Sequence, residues 1–345
     1  MKLVITKRNY KILLRGTSLF ATGGGIPFVD QVQTINKLDD LRVSIFSPQD
    51  FSKDAHFCLA AELGSTDASP IKKTKVVSKM LHLLYKTTGK KIEAVYEPEL
   101  GQESVLLETA SLSNLPIVDF DLVGFRSVPR VDINIFRLKN IPFHYLPMIV
   151  GTDKGRIFVA KTKMSDEKLD ETLRKMTSLS KNGSLFVVGG IVSVKKLIDN
   201  NITRSMLQRA YRYGEKKNKK TFLNSLQSKV SIAGYVVDRK PLKIKGFFAE
   251  VIIIRERNES LYKLVVLNEI LFLLDEINSI LYSIPDKILL IDPVKMIGLS
   301  ASALEKGAEV LITVVDPEVE WRDVKAKRLF GQNRFQFLID AAVKY

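Results

Sequence analysis

The sequence contains few of the residues that form disulfides and zinc sites. Its 345 residues include one cysteine and three histidines. A single cysteine cannot form an intrachain disulfide, and this usage fits a reducing compartment. His56, His82 and His144 form neither an HxH nor an HExxH pattern, so we do not expect a zinc site within this chain. Cys58 stands in the apolar run 57–61, and we expect it to be a small core residue of a strand.

Long apolar runs and several ligand-binding motifs are also missing. The N-terminus lacks the apolar stretch of a signal peptide. The most apolar region, 261–290, is interrupted by charged residues such as Glu269 and Asp275, so no run reaches the ~20 residues that span a bilayer. No GxGxxG, Walker A or GxSxG motif is present. We therefore expect a cytoplasmic protein without membrane contact, outside those nucleotide-binding and hydrolase classes.

Basic residues outnumber acidic ones, with 53 Lys and Arg against 38 Asp and Glu, a net charge of +15. Such an excess fits nucleic acid, an acidic membrane surface or an anionic substrate. The densest basic patch is Lys216, Lys217, Lys219 and Lys220, at the C-terminal end of the predicted helix 203–217. Neither interleaved aromatics nor an RNA-binding motif accompanies it, so the sequence favours a solvated helix end over a nucleic-acid site.

Strands and helices alternate in the first part of the chain. A helix from near Tyr10 should end at the run Gly23–Gly25, and Pro27 should begin a second helix. This alternation predicts a mainly parallel sheet covered on both faces, with ligands at the carboxyl ends of its strands. Further predicted strands lie at 43–46, 57–63, 91–96 and 116–120, and further predicted helices at 75–85 and 103–112.

Strand patterns dominate after about residue 130. We therefore predict an α/β domain with a mainly parallel sheet over residues 1–164 and a β-rich α+β domain over 165–345. The predicted strands are 131–136, 156–160, 185–194, 230–237, 247–255, 261–267, 288–291 and 309–315, and the predicted helices are 165–180, 203–217 and 300–306.

A run of glycines is the first candidate site, Thr22-Gly23-Gly24-Gly25. Three consecutive glycines are costly in conformational entropy, so a structural or functional requirement must retain them. The run could expose backbone N–H groups to an anion, or let the backbone approach a ligand closely. A plain helix C-cap with a tight turn is the alternative.

Carboxylates that follow two predicted strands are the second candidate. Glu99 lies in the segment 97–103, where acidic residues could ligate a metal, act as a general base, or stabilise the next helix. Asp119 and Asp121 can ligate a divalent cation or divide acid and base roles between them. Arg126 could hold a carboxylate or a planar amide, or pair structurally with an aspartate.

A third candidate follows the predicted strand 261–267. Asn268 and Glu269 interrupt an apolar region, and buried polar groups need partners. They could bind a substrate or form contacts between the two domains.

These segments, taken in order, resemble the S-methyl-thiohydantoin desulfurase-like family, formerly a domain of unknown function associated with hydantoinase and oxoprolinase proteins. Gln102 and Ile26 stand where that family has glycines. The resemblance implies a small cyclic amide of the hydantoin or thiohydantoin type as substrate. The motifs that carry it are 16–25, Glu99-Leu100-Gly101, 116–126, 209–214, Asn268-Glu269, Pro285-Asp286 and Trp321-Arg322.

The leading hypothesis is therefore an enzyme that directs water at such a ring. Asp119 or Asp121 would activate the water or hold a cation, Arg126 would orient the substrate, and the backbone of the run 22–25 would stabilise an oxyanion. The alternative is a non-catalytic subunit that binds a small anion or docks on a hydantoinase-type partner. Nucleic-acid binding rests on net charge alone and is not expected. We also expect a homo-oligomer.

Overall fold

Alternating apolar strands and amphipathic helices build the first part of the molecule. The computed structural model describes residues 2–64, 76–161, 163–181, 183–216, 218–244 and 246–345. Its elements up to residue 160 are β1 (Leu3–Thr6), α1 (Tyr10–Phe20), α2 (Phe28–Asn36), β2 (Arg42–Phe46), β3 (His56–Gly64), α3 (Val77–Thr88), β4 (Ile92–Tyr96), α4 (Glu103–Ser113), β5 (Ile117–Val118), α5 (Ile135–Leu138), β6 (Met148–Gly151) and β7 (Ile157–Ala160).

Strands predominate in the second part. Its elements are α6 (Asp166–Met176), β8 (Ser184–Ser193), α7 (Val194–Asp199), α8 (Leu207–Gly214), α9 (Lys219–Leu226), β9 (Val230–Pro241), β10 (Ala249–Glu256), β11 (Leu261–Leu267), β12 (Glu269–Leu274), β13 (Ile280–Ser283), β14 (Lys287–Ile291), β15 (Glu309–Val315), α10 (Val324–Leu329) and α11 (Gln336–Ala342).

The first sheet has eight described strands in the order β1-β2-β5-β4-β3-β8-β6-β7. The strands β2, β5, β4 and β3 are parallel to one another. The remaining pairs, β1 with β2, β3 with β8, β8 with β6 and β6 with β7, are antiparallel. The prediction of a mainly parallel sheet is not confirmed: the sheet is mixed, because antiparallel strands flank a parallel centre on both sides.

The second sheet is antiparallel and has seven described strands in the order β13-β12-β11-β10-β9-β15-β14. One of its faces curls around an apolar core that includes Ile252, Leu264 and Ile312. Residues of its other face, such as Val265 and Leu271, share a core with the first sheet. A two-domain molecule with a mixed α/β half and a strand-rich half is therefore confirmed in this coarser form.

The strand β8 enters the first sheet, although it follows residue 165 in the chain. It pairs with β3 and β6, and α8 packs on α1. The predicted boundary between residues 164 and 165 stays a prediction. None of the helices formed by the described residues combines the length and apolar character that crossing a bilayer requires.

Most of the predicted elements are confirmed, and three of them differ from the structure. The predicted strand 131–136 is wrong, because Asp132 and Asn134 are buried with partners and Asn134 caps α5 by accepting from Arg137 N–H. The predicted helix 300–306 shrinks to a single turn at 301–303. Lys219 and Lys220 begin α9 rather than ending α8, and Lys217 lies outside the described residues.

Candidate functional site

The carboxyl ends of two neighbouring parallel strands bring the candidate segments together. Residues 97–103 follow β4 and residues 119–128 follow β5, and these strands pair in parallel. A backbone bond from Leu100 N–H to Arg126 O, 3.0 Å long, joins the two segments. Ligands of open α/β sheets bind at this edge. The expectation that both segments occupy the carboxyl ends of strands is therefore confirmed.

A cavity of about 120 Å³ lies beside these segments, between the two sheets. This volume is of the same order as the roughly 150 Å³ of a cavity that accepts a benzene ring, which makes a small ring compound the size class to test. Polar groups reach the cavity from Glu99, Gln102, Ser127 and Glu269, and Gly25 and Asn268 also line it. Its apolar wall includes Leu59, Ala61, Val123, Ile133, Met148 and Leu173.

Two carboxyl groups in the cavity wall share one hydroxyl group. Ser127 Oγ lies 3.1 Å from Glu99 Oε2 and 2.8 Å from Glu269 Oε1. A hydroxyl carries one proton and can donate to only one of these oxygens. The other contact is a hydrogen bond only when that carboxyl carries a proton and donates to Oγ. The geometry therefore favours one proton held within the Glu99–Ser127–Glu269 group.

The surroundings of the two carboxyls indicate which of them carries the proton. Glu99 accepts from Val128 N–H at 2.7 Å and from Gln102 Nε2 at 3.1 Å, and such donors favour the ionised form. Glu269 Oε2 is buried without a partner among the described residues. Burial raises the pKa of Glu269 well above its ordinary value, and the nearby Glu99 charge raises it further. Burial also raises the pKa of Glu99, to about 7, against the effect of its hydrogen bonds. Glu269 is thus the neutral acid and Glu99 the group that titrates near neutrality.

The glycine turn makes room for this group. A Cβ atom on Gly24 would lie 2.6 Å from Glu269 Oε1, and a Cβ on Gly25 would lie 2.5 Å from Gly101 O. Thr22 O accepts from Ile270 N–H at 2.8 Å, and Gly23 O accepts from Ala301 N–H at 2.7 Å. The turn is therefore bonded to β12 and to residue 301, and the absence of a side chain at Gly24 leaves space for Glu269.

The N–H groups of the turn are not all available to a ligand. Gly24 N–H already donates to Ala21 O at 2.8 Å. Thr22 is buried with a positive φ of 51°, and its Oγ1 has no partner among the described residues. Stabilisation of an oxyanion by the backbone of this turn stays a prediction.

Asp119 and Asp121 lie outside the cavity wall, and backbone donors occupy their carboxylates. Asp119 accepts from the N–H groups of Met206, Leu207 and Gln208 at 2.7, 2.8 and 3.0 Å, which caps α8. Asp121 Oδ1 accepts from three N–H groups of its own turn, 123–125. Burial raises the pKa of Asp119 to about 6, against these bonds. Catalysis by the two aspartates stays a prediction.

Arg126 is buried between the two halves of the chain. Its Nη1 donates to Pro285 O at 2.8 Å and to Asp286 O at 3.1 Å, and its guanidinium lies 4.6 Å from the centre of the Phe330 ring. Burial lowers its pKa to about 10. Arg126 thereby fixes the backbone that carries Ser127, and its predicted contact with substrate stays untested.

Asn268 occupies the tight turn between β11 and β12. Its positive φ of 59° is tolerated by asparagine better than by most residues. Its N–H donates to Phe248 O at 2.7 Å, and its Oδ1 accepts from Phe248 N–H at 2.9 Å. Asn268 and Glu269 both line the cavity. Their binding of a substrate stays a prediction.

Among the described residues, no group of three or more His, Cys, Asp or Glu is arranged to hold a metal ion. The divalent cation considered for Asp119 and Asp121 is therefore left untested. Cys58 is buried in β3, as predicted, and burial raises the pKa of its thiol to about 12.

Two family models match consecutive parts of the chain. The N-terminal domain of S-Me-THD-like proteins matches residues 8–162, and their C-terminal domain matches residues 164–343. The chain belongs to the S-methyl-thiohydantoin desulfurase-like (S-Me-THD-like) family. The resemblance predicted from the motif order is thus confirmed. No curated protein matches the chain.

A solved structure supports the fold of this S-Me-THD-like chain. The crystal structure of a protein from Chromobacterium violaceum matches it with a TM-score of 0.74 and 18% identity, over 97% of each chain. At that identity the match shows the fold alone. The hydantoinase-type partner and the homo-oligomer stay predictions.

Sequence reasoning missed several cavity residues of this S-Me-THD-like chain. Ser127, Arg130, Tyr145 and Arg174 all line the cavity. Ser127 directly follows the candidate segment 119–126, so a longer window would have included it. Tyr145 and Arg174 carry no local signal, since folding alone brings them to the cavity.

Proposed function

We propose that this protein is an enzyme that adds water to a small cyclic amide of the hydantoin or thiohydantoin class. The observation that carries the proposal is the Glu99–Ser127–Glu269 group in a ring-sized cavity. A general base works best when its pKa is near the working pH, and Glu99, with a pKa of about 7, meets that condition. The family name supports the substrate class.

In the proposed reaction, Glu99 takes a proton from water while the water oxygen attacks a ring carbon. The electron pair of that carbon's C=O or C=N double bond moves to the oxygen or nitrogen as the new C–O bond forms. The bond from that carbon to the leaving atom then breaks, and the electron pair goes to that atom. The leaving atom receives a proton from the Glu99–Ser127–Glu269 group. Because this group gained a proton from water in the first step, its number of protons returns to the starting value. In desulfurisation of an S-methyl ring, the two water protons end on ring nitrogen and on methanethiol. In ring opening they end on the new carboxyl group and on the released ring nitrogen.

Gln102 and Val128 have a positioning role in this proposal. Gln102 donates to Glu99 through Nε2 and accepts from Glu62 N–H at 2.8 Å through Oε1. This amide stands where the family resemblance places a glycine, so the chain adds a side-chain donor to its base. The apolar wall removes water from around the ring, which strengthens the polar contacts.

The test is turnover of hydantoin, thiohydantoin and S-methyl-thiohydantoin by the purified chain, with thiol release and ring opening measured separately. Glu99→Gln should lower kcat/KM by roughly 100-fold or more, since general bases contribute about 10²–10⁴. The wild-type kcat/KM should rise with pH through about 7 as Glu99 ionises.

Glu250→Gln is the matched control, because Glu250 is a buried glutamate that pairs with Arg239 and does not line the cavity. It should leave kcat/KM unchanged. Undiminished turnover in Glu99→Gln would refute the assignment of the base. If no ring compound is turned over or raises the thermal midpoint, the enzyme proposal fails and the non-catalytic alternative is favoured.

A further inference from the structure

Two arginines line the cavity, and one of them is fully used by the protein. Arg174 Nε donates to Asp170 at 2.9 Å, and its Nη1 donates to Gly246 O at 2.9 Å. Its Nη2 donates to Pro129 O at 2.5 Å, and its guanidinium stacks 3.7 Å from the centre of the Phe247 ring. All three nitrogens therefore have protein acceptors, and Arg174 is a structural part of the wall.

Arg130 is held on one side only. Its Nε donates to Asp132 Oδ1 at 3.0 Å, while its Nη1 lies 3.7 Å from Asp170 Oδ2, beyond hydrogen-bond distance. In the part of the chain that the structure describes, Nη2 has no acceptor. The side chain is 19% exposed and lines the cavity, whereas the carboxylates of Asp132 and Asp170 are fully buried. The guanidinium is thus anchored by buried carboxylates and keeps its terminal nitrogens available.

The cavity consequently offers a ligand two different polar surfaces. Glu99 and Glu269 supply carboxyls, which repel an anionic group of the ligand when Glu99 is ionised. The planar guanidinium of Arg130 offers paired N–H donors, whose geometry matches a carboxylate. A ligand with a neutral ring and an anionic substituent would satisfy both surfaces at once.

We infer that Arg130 binds a carboxylate carried by the substrate ring, and that it thereby selects acidic derivatives over unsubstituted rings. This inference rests on the proposed function, because the ring itself must lie against Glu99 for its substituent to reach Arg130. Turnover tests the proposed function, whereas a preference between two ligands tests the role of Arg130.

The test is calorimetric binding of hydantoin and of its 5-carboxymethyl derivative to the wild type and to two variants. The wild type should bind the carboxylated ring more tightly than hydantoin by roughly 10- to 100-fold, the usual effect of hydrogen bonds between charged groups. Arg130→Gln should remove this preference and leave hydantoin affinity within about threefold of the wild type.

Arg137→Gln is the matched control, because Arg137 also pairs with buried Asp132 but does not line the cavity. Arg137→Gln should keep the preference for the carboxylated ring. That result would show that loss of a partner to Asp132 does not by itself remove the preference. Equal wild-type affinity for the two ligands, or a preference that survives Arg130→Gln, overturns the inference while leaving the proposed function intact. Absence of binding by either ring overturns both claims.

Discussion

Gly24 has no room for a side chain, because the Glu269 side chain lies against it. Its φ is not in the left-handed region, so the backbone does not require glycine; the space does, because Glu269 lies where a Cβ would stand. Gly24 is therefore required for space. Gly23 and Gly25 are required for the turn, because their φ values are 81° and 75°.

Gly24→Ala should displace Glu269 from Ser127 and lower kcat/KM for the ring substrate by more than about 10-fold. The overpacked contact should also lower the free energy of unfolding by roughly 1–3 kcal/mol. Steady-state kinetics and urea unfolding measure the two effects. Gly155→Ala is the control: its φ of 73° strains an alanine in open space, so it should cost about 1 kcal/mol of stability and no activity. A fully active Gly24→Ala variant would contradict the role given to Glu269.

At the scale of elements, the segment after β5 and the helix α8 depend on each other. The carboxylate of Asp119 accepts three buried N–H groups at the start of α8, where the helix dipole also favours negative charge. The same segment continues to Ser127 in the cavity wall. One loop therefore supplies a helix cap with its first residues and a site hydroxyl with its last.

Asp119→Ala should lower the free energy of unfolding by about 2–4 kcal/mol, since three N–H groups lose a charged acceptor. Ser193→Ala removes one longer cap bond, 3.3 Å from Lys196 N–H at α7, and should cost no more than about 1 kcal/mol. Chemical unfolding compares the two. Asp119→Asn provides a milder variant for kinetics: loss of turnover in folded Asp119→Asn would favour the catalytic role predicted from the sequence over the capping role.

Across the whole molecule, burial of carboxyls makes stability depend on pH. Burial raises the pKa values of Glu99 and Glu103 to about 7 and that of Asp119 to about 6. Between about pH 4.5 and 7 the folded chain therefore holds protons that the unfolded chain has released. The free energy of unfolding should fall as pH rises through this window. Hydrogen bonds from Lys240 and Lys306 lower the pKa of Asp238 below its ordinary value, so Asp238 titrates below this pH window.

Urea unfolding at pH 5 and pH 7.5 measures this dependence. Glu103→Gln keeps an acceptor for Gly101 N–H and removes one titrating group, so it should reduce the difference between the two pH values by ~2 kcal/mol. Glu276→Gln changes an exposed glutamate and should leave the difference unchanged. If the free energy of unfolding instead rises from pH 5 to 7.5, the buried carboxyls do not determine the pH dependence of stability.

Local patterns were sufficient to predict most helices and strands, the burial of Cys58 and the edge of the first sheet where the site lies. These features depend on residue spacing and on glycine or proline at turns, which a sequence displays directly. The strand pattern at 131–136 was misleading, because alternation cannot distinguish a solvent face from buried polar residues with partners. Asp132 and Asn134 have such partners.

Tertiary structure alone decided which carboxyls meet. Glu99 and Glu269 are 170 positions apart, and they share Ser127 only because β12 crosses the glycine turn. The sequence by itself determined the order of motifs, the family and the alternation of elements, because these are properties of neighbouring residues. It could not determine that Asp119 faces a helix terminus while Glu99 faces a cavity, because a carboxylate's function follows from the donors and the solvent that folding places around it.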